Sequence, residues 1–290
     1  MRNTFIDEII KLARVNPQIA LIVGDLGYSV VEPFAEEFPD RFINAGVAEQ
    51  NMTGLAAGMA SEGYHVFTYS IANFPTFRCA EQIRNDVDYH NLPVTVVAVG
   101  GGVAYGNLGY SHHAVQDYAL MRTMPNMLIA SPGDPNEVRA CLRYLIENPQ
   151  PSYLRLGKNG EKNFHTKIPI IEPGKWLTVS ESKNLSGQSL LTTGASLQAV
   201  LDINSYKAVY TLPLWGMSLK AQQGKQLAQT LPICISEDHL IDGGFCSWML
   251  ESTIGMPFSN DQITCKTLSR DACGTVASSK TLWKLSGLAL

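Results

Sequence analysis

The order of apolar and polar positions predicts strand and helix in alternation. Residues 4–15 set Phe5, Ile9, Leu12 and Ala13 on one face of a helix. Ile19–Val23 is an unbroken apolar run, as a buried parallel strand requires, and Gly24-Asp25-Leu26-Gly27 ends it. Helices are expected at 32–38, 50–60, 115–122 and Pro135–Glu147, and mostly helix over 73–88. Strands are expected at 42–43, 64–70, Val94–Val99, 127–130 and Ser152–Leu156, the last of this sheet. The alternation argues an α/β fold, a doubly wound parallel sheet with helices on both faces.

Residues 158–188 are polar and broken by Gly160, Pro169 and Pro173-Gly174, and read as a linker. Beyond it, strands at 189–193, 208–212 and 233–237 alternate with helical stretches at 196–204, 224–229 and 243–252. This is a smaller α/β unit, still large enough to fold. The expected division is 1–157, linker 158–188, and 189–290.

Composition narrows the field. Of 290 residues, 45% are hydrophobic and 17% charged, as in a packed globular protein. A net charge of -4 gives no electrostatic reason to expect nucleic acid. No apolar run reaches spanning length, so no membrane is expected. Asp7 and Glu8 stand where a signal peptide would be apolar, pointing to a cytoplasmic chain. The six cysteines form no CxxC pair and read as free thiols without a metal site.

Glu49 is the first candidate for chemistry. It sits in Asn44-Ala-Gly-Val-Ala-Glu-Gln-Asn-Met52, between a short strand and a helix rich in Ala, Met and Gly. A carboxylate buried there without a cation favours its protonated, hydrogen-bond-donating form; the plainer reading is a helix-capping acid. Phe67, Tyr69, Phe74 and Phe77 bracket residues 70–73 and offer flat faces to a heteroaromatic ring, or simply fill core. The run Gly100-Gly101-Gly102, followed by Gly106 and Gly109, lets backbone approach a ligand and ends in His112-His113. Arg78, Arg84, Arg122, Arg155 and Lys158 suit an oxyanion clamp, or are structural cations. Asp25 is either a turn acid or a site residue.

The segment from Arg41 to Met52 resembles the part of transketolases that carries their invariant glutamate. The similarity continues through Cys79-Ala-Glu-Gln-Ile-Arg-Asn-Asp-Val, Asp117-Tyr-Ala-Leu-Met-Arg and Ser131-Pro-Gly-Asp-Pro-Asn-Glu-Val. It is strong over 18–160 and weaker over 189–250. The resemblance implies a pyrimidine-binding domain followed by a transketolase C-terminal-type domain. It implies that Glu49 hydrogen-bonds the aminopyrimidine of thiamine diphosphate and drives the imino tautomer that removes the C2 proton. Phe74 would stack on that ring, and Ile71 stands where relatives often carry a second aromatic. Tyr69 and Asp25 would lie beside the cofactor. His112 would contact substrate oxygens near the reacting carbon, and His113 replaces a glutamine. Lys158 falls near a phosphate-binding arginine, with Arg155 and Arg78 as further substrate contacts. Glu237-Asp238-His239 resembles a turn that would bring His239 to the mouth of the site.

Two departures bear on specificity: Leu108 replaces an aspartate that grips a ketose hydroxyl, and no histidine stands near Gly100. Position 26 is Leu, so the Gly-Asp-Gly…Asn motif for magnesium and diphosphate is absent. The resemblance therefore implies the C-terminal subunit of a split transketolase. An N-terminal-type subunit would supply diphosphate and Mg2+ binding in an α2β2 assembly that transfers two-carbon ketol units between sugars. One alternative is a subunit resembling the β chain of 2-oxo acid dehydrogenases, or a decarboxylating synthase, mildly favoured by Leu108. The other is an inactive regulatory subunit, which retention of Glu49, Phe74 and His112 argues against.

Overall fold

A computed structural model describes residues 1–182, 187–200, 203–257 and 260–288. The first sheet is built from β1 (Ile19–Val23), β2 (Phe42–Asn44), β3 (His65–Ile71), β4 (Val94–Val99), β5 (Leu128–Ala130) and β6 (Ser152–Leu156). The second unit supplies β7 (Leu177–Glu181), β8 (Ser189–Thr192), β9 (Ala208–Thr211), β10 (Leu214–Trp215), β11 (Ile233–Ser236) and β12 (Ile263–Lys266).

The two sheets run β10-β5-β6-β4-β3-β1-β2 and β12-β11-β8-β9-β7. Pairing is parallel except for β10 against β5 and β7 against β9. Every position of β1, β4 and β6 is buried, which explains why β1 and β4 read as almost wholly apolar runs, while β6 carries Arg155 inside the fold. The helices Arg2–Val15 and Pro135–Glu147 cover one face, with Phe5, Ile9, Val138 and Leu142 in a core shared with Leu21, Phe67 and Val97. The helix Glu49–Ser61 packs Met52 and Ala56 on Ile22, Val66 and Val94. All six cysteines are free thiols, and no described helix is long and apolar enough to cross a membrane.

Several expectations change. Residues 158–188 contain β7, whose alternating Leu-Thr-Val-Ser-Glu forms an edge of the second sheet; 183–186 of that stretch lie outside the described residues. Ser152–Leu156 is not the last strand of the first sheet, because β10 returns from the second unit to its far edge. The stretch 196–204 forms 3-10 turns, Gly194–Ala199 and Ile203–Ser205, with 201–202 outside the described residues. Over 73–88 the chain makes short turns, Phe74–Phe77 and Ala80–Gln82, then a π-helical turn, Ile83–Asp88.

The strand order positions the site. From β1 the chain steps outward to β2, then crosses back to β3 on the other side. Strand order thus reverses around β1, and in open α/β sheets ligand crevices form beyond the carboxyl ends at such a point.

Candidate active site

The carboxyl end of β1 runs into Gly24, that of β2 into the loop delivering Glu49, and that of β3 into Asn73 and Phe74. Glu49 opens its helix and is 3% exposed. A Cβ built on Gly24 would stand 3.4 Å from Glu49 Cγ and 3.6 Å from Ser70 Oγ, so all three border one space. Ser70 Oγ is buried without a hydrogen-bond partner.

Glu49 is not the lone carboxylate expected. Nη1 of Arg78 donates to both of its oxygens, at 3.1 and 3.0 Å. The same guanidinium lies 4.3 Å over the Phe74 ring, and Phe74 meets His112 edge-on at 5.3 Å. Asn73 Nδ2 donates to Ser111 O at 2.9 Å, and Ser111 Oγ pairs with His112 Nδ1 at 3.0 Å. The fold therefore brings Glu49, Arg78, Phe74 and His112 into one chain of contacts.

Asp25 takes a left-handed backbone (φ 54°) and accepts from Asn44 Nδ2 at 3.0 Å. Asn44 Oδ1 in turn accepts from the Asp25 and Gly46 amides, at 3.2 and 3.0 Å. Asn44 is not among the residues expected from sequence, yet it fastens the turn after β1 to the turn before Glu49. An Asn at the end of a short strand, just before a turn, was the available signal.

Other candidates lie elsewhere. Tyr69 points with Phe67 to the opposite face of β3 from Ser70, stacked on Phe5 at 5.9 Å and 2% exposed. Burial pushes its phenol pKa up. It is core, and alternation puts half-buried Ile71 on that same side. His113 is 1% exposed with neither ring nitrogen bonded, so the two histidines part company at the end of the loop.

Arg155 is a correction of the clamp reading. Its side chain is 1% exposed, and its five N–H donors meet five acceptor contacts. Nε donates to Asp117 at 2.7 Å, Nη1 to Asp238 at 2.6 Å and to Tyr118 Oη, and Nη2 to the Ala114 and Asp238 carbonyls. None is left for a substrate. The glycine run serves this network rather than a ligand: a Cβ on Gly101 would stand 2.6 Å from the Arg155 guanidinium. One on Gly102 (φ +64°) would stand 2.1 Å from the Asp238 carboxylate. Gly100 likewise makes room for the Tyr105 ring.

His239 does not reach a site mouth. It is fully buried, donates from Nδ1 to Leu240 O at 2.6 Å, and stacks on Tyr118; burial pushes its pKa down to about 4. Arg122 pairs with Glu251 and donates to Gly244 O, tying the two units, while Arg84 donates to Asn85. Exposed Lys158 lies over Tyr105 at 4.9 Å and lines a cavity of about 710 Å³ with Glu161, Gln198 and Trp283.

The geometry can be set beside known proteins. Residues 1–160 match the transketolase pyrimidine-binding domain. The chain is 39% identical over 158 residues to an apulose-4-phosphate transketolase subunit of Phocaeicola vulgatus, covering 54% of this chain and 51% of that protein. The chain thus spans about half of that relative's length. It is 29% identical to the apulose-4-phosphate transketolase subunit of the same name from Actinobacillus succinogenes, over 87% of this chain and 82% of that one. Among solved structures, a split-gene transketolase described as an inactive beta4 tetramer superposes with a TM-score of 0.80. The identity is 27%, over 99% of this chain and 93% of that one. The pyrimidine-binding match over more than half its length and the split-gene likeness over nearly all of it show that the chain belongs to the transketolase family, with the build of the C-terminal chain of a split transketolase.

Proposed function

We propose that this chain is the catalytic-acid subunit of a thiamine diphosphate-dependent transketolase, working with a second chain that binds the diphosphate and Mg2+. The observation that carries the reading is that a buried carboxylate, Glu49, is joined through Arg78 to an aromatic face, Phe74, which meets a histidine, His112, at the reversal point of the sheet.

The residues fit the ring half of the cofactor. A heteroaromatic ring needs a hydrogen-bond partner for its nitrogen, a flat face and close backbone approach; Glu49, Phe74 and Gly24 offer these, and the unpartnered Ser70 Oγ adds a polar group. The likeness to a split-gene transketolase over 99% of this chain and 93% of that one supports a partner chain for the pyrophosphate half. The inactive beta4 state of the split-gene relative supports it as well.

Thiamine diphosphate, when bound, supplies the nucleophilic carbon and the electron sink. Glu49 would hold the hydrogen bond at the ring nitrogen, in a site dry enough to keep it short. Phe74 would orient the ring. His112, steadied by Ser111, would donate to the substrate oxygen where charge develops, or relay a proton there. Two-carbon ketol transfer between sugar-type substrates is the reaction proposed, and Leu108, 55% exposed, is the position that widens or alters substrate choice.

The test is to purify the chain with and without its partner and measure thiamine diphosphate and magnesium binding. Binding in the complex and not in the single chain supports the reading, and tight binding by the single chain contradicts the two-chain site. Release of carbon dioxide from pyruvate would move the assignment to the decarboxylating class.

A further inference from the structure

The two features a cofactor ring would use are both taken by one side chain. Nη1 of Arg78 occupies both oxygens of Glu49, and the same guanidinium covers the Phe74 ring at 4.3 Å. We infer that Arg78 is a latch: in the chain without cofactor it caps Glu49 and Phe74, and the aminopyrimidine ring of thiamine diphosphate displaces it. This deepens the proposed function and rests on it.

Three observations favour a cap that opens over a permanent bond. The grip is end-on: one nitrogen is shared between two oxygens, not the two-nitrogen fork that makes arginine–carboxylate pairs strong. The Arg78 side chain is 48% exposed although its partner is 3% exposed, so it has solvent to retreat into. And Arg78 follows the exposed Phe77 at the end of the short turn Phe74–Phe77, where no longer helix restrains it. Arg155 is the contrast within the same chain: both partners are buried and every donor is used. The pair also has a use while closed. A buried carboxylate without a partner is costly, and Arg78 neutralises Glu49 until a ring arrives.

A binding-competent fraction divides into the apparent affinity, so a latch closed in about nine molecules of ten weakens cofactor binding about 10-fold. The experiment measures the thiamine diphosphate dissociation constant by calorimetry in the complex with the partner chain, at fixed magnesium. The proteins compared are wild type, Arg78→Gln, Arg78→Lys, Glu49→Gln and the double variant Glu49→Gln/Arg78→Gln. Arg78→Gln is expected to tighten binding about 10-fold, and Arg78→Lys, which keeps the charge but loses the flat stack, to tighten it less. In the Glu49→Gln background, where the pair is already broken, removal of Arg78 is expected to change little. If Arg78→Gln fails to fold, Arg78→Lys carries the same comparison. Unchanged or weaker binding in the Arg78 variants, with wild type binding normally, overturns the latch alone. Absence of cofactor binding by the wild-type complex overturns the proposed function and the latch with it.

Discussion

Arg155 and Asp238 form a buried ion pair between the two units, Nη1 to Oδ1 at 2.6 Å, with each side chain 1% exposed. One stands in β6 of the first sheet, the other just after β11 of the second. Asp117 also pairs with the guanidinium, at 2.7 Å. Removing Asp238 leaves Asp117 to balance the guanidinium but strands one buried Nη1 N–H, at about 1–3 kcal/mol. Asp238→Ala is expected to lower unfolding stability by that order, measured by urea titration. Loss of less than about 1 kcal/mol would mean that the pair is solvated in solution.

Gly102 carries the same junction on its backbone. Its φ of +64° already disfavours other residues, and a methyl group would meet the Asp238 carboxylate at 2.1 Å and the Asp238 carbonyl at 2.7 Å. Gly102→Ala is expected to cost at least about 1–3 kcal/mol, seen as a lowered urea midpoint. Gly46→Ala, also at positive φ but with open space around it, is the milder control.

Phe74 has less to do with stability than with the ligand. It is half-buried and its contacts are Arg78 and His112. Phe74→Ala is expected to weaken thiamine diphosphate binding by about 0.5–1.5 kcal/mol, the usual worth of an aromatic pair. The unfolding midpoint should move little. Equal affinity in the variant would remove Phe74 from the ring-binding group.

His65 gives a pH signature. It is 5% exposed, bonds Thr95 Oγ1 through Nε2 at 2.9 Å and stacks on Phe67 at 4.6 Å; burial pushes its pKa down to about 4 from 6.5. The unfolded chain binds a proton at that position between pH 6.5 and 4, and the folded chain does not. The stability His65 contributes is therefore fully present above pH 6.5 and is lost as pH falls towards 4, by about 1.4 kcal/mol per unit at most. His65→Phe keeps the stack and leaves Thr95 paired with Ser152. The stability difference between wild type and His65→Phe should be constant above pH 6.5 and shift in favour of the variant below it. A pH-independent difference would contradict a buried neutral imidazole.

The layered fold was legible because β1 and β4 are buried on both faces and announce themselves as near-continuous apolar runs. β10 was not: two residues, Leu214 and Trp215, carry no period, and only the open edge at β5 makes them a strand. β7 was readable, since Leu177 to Glu181 alternates, but the prolines and glycines before it dominate that stretch. At the site, Glu49 was picked out by the resemblance of its segment to the transketolase glutamate motif, since locally it read equally as a helix cap, whereas its pairing with Arg78, 29 residues away, follows from no local spacing rule. Arg155 misled because an arginine fork suits an oxyanion and Lys158, three residues on, falls near a phosphate-binding arginine of the resembled family. A charge in the middle of Ser-Tyr-Leu-Arg-Leu instead demanded buried carboxylates, and Asp117 and Asp238 were the available ones. Tyr69 and Ser70 show the cost of missing strand phase: a single step along the strand separates the core face from the site face.

The most direct measurement is turnover of Glu49→Gln in the complex with the partner chain, with thiamine diphosphate and magnesium saturating and a ketose donor and aldose acceptor supplied. Glutamine keeps the shape and cannot hold or give up the proton. With Glu49 as the acid at the cofactor ring, kcat is expected to fall by about 10²–10⁴-fold while the complex still assembles and binds cofactor. Turnover within a few-fold of wild type would contradict the catalytic assignment of Glu49.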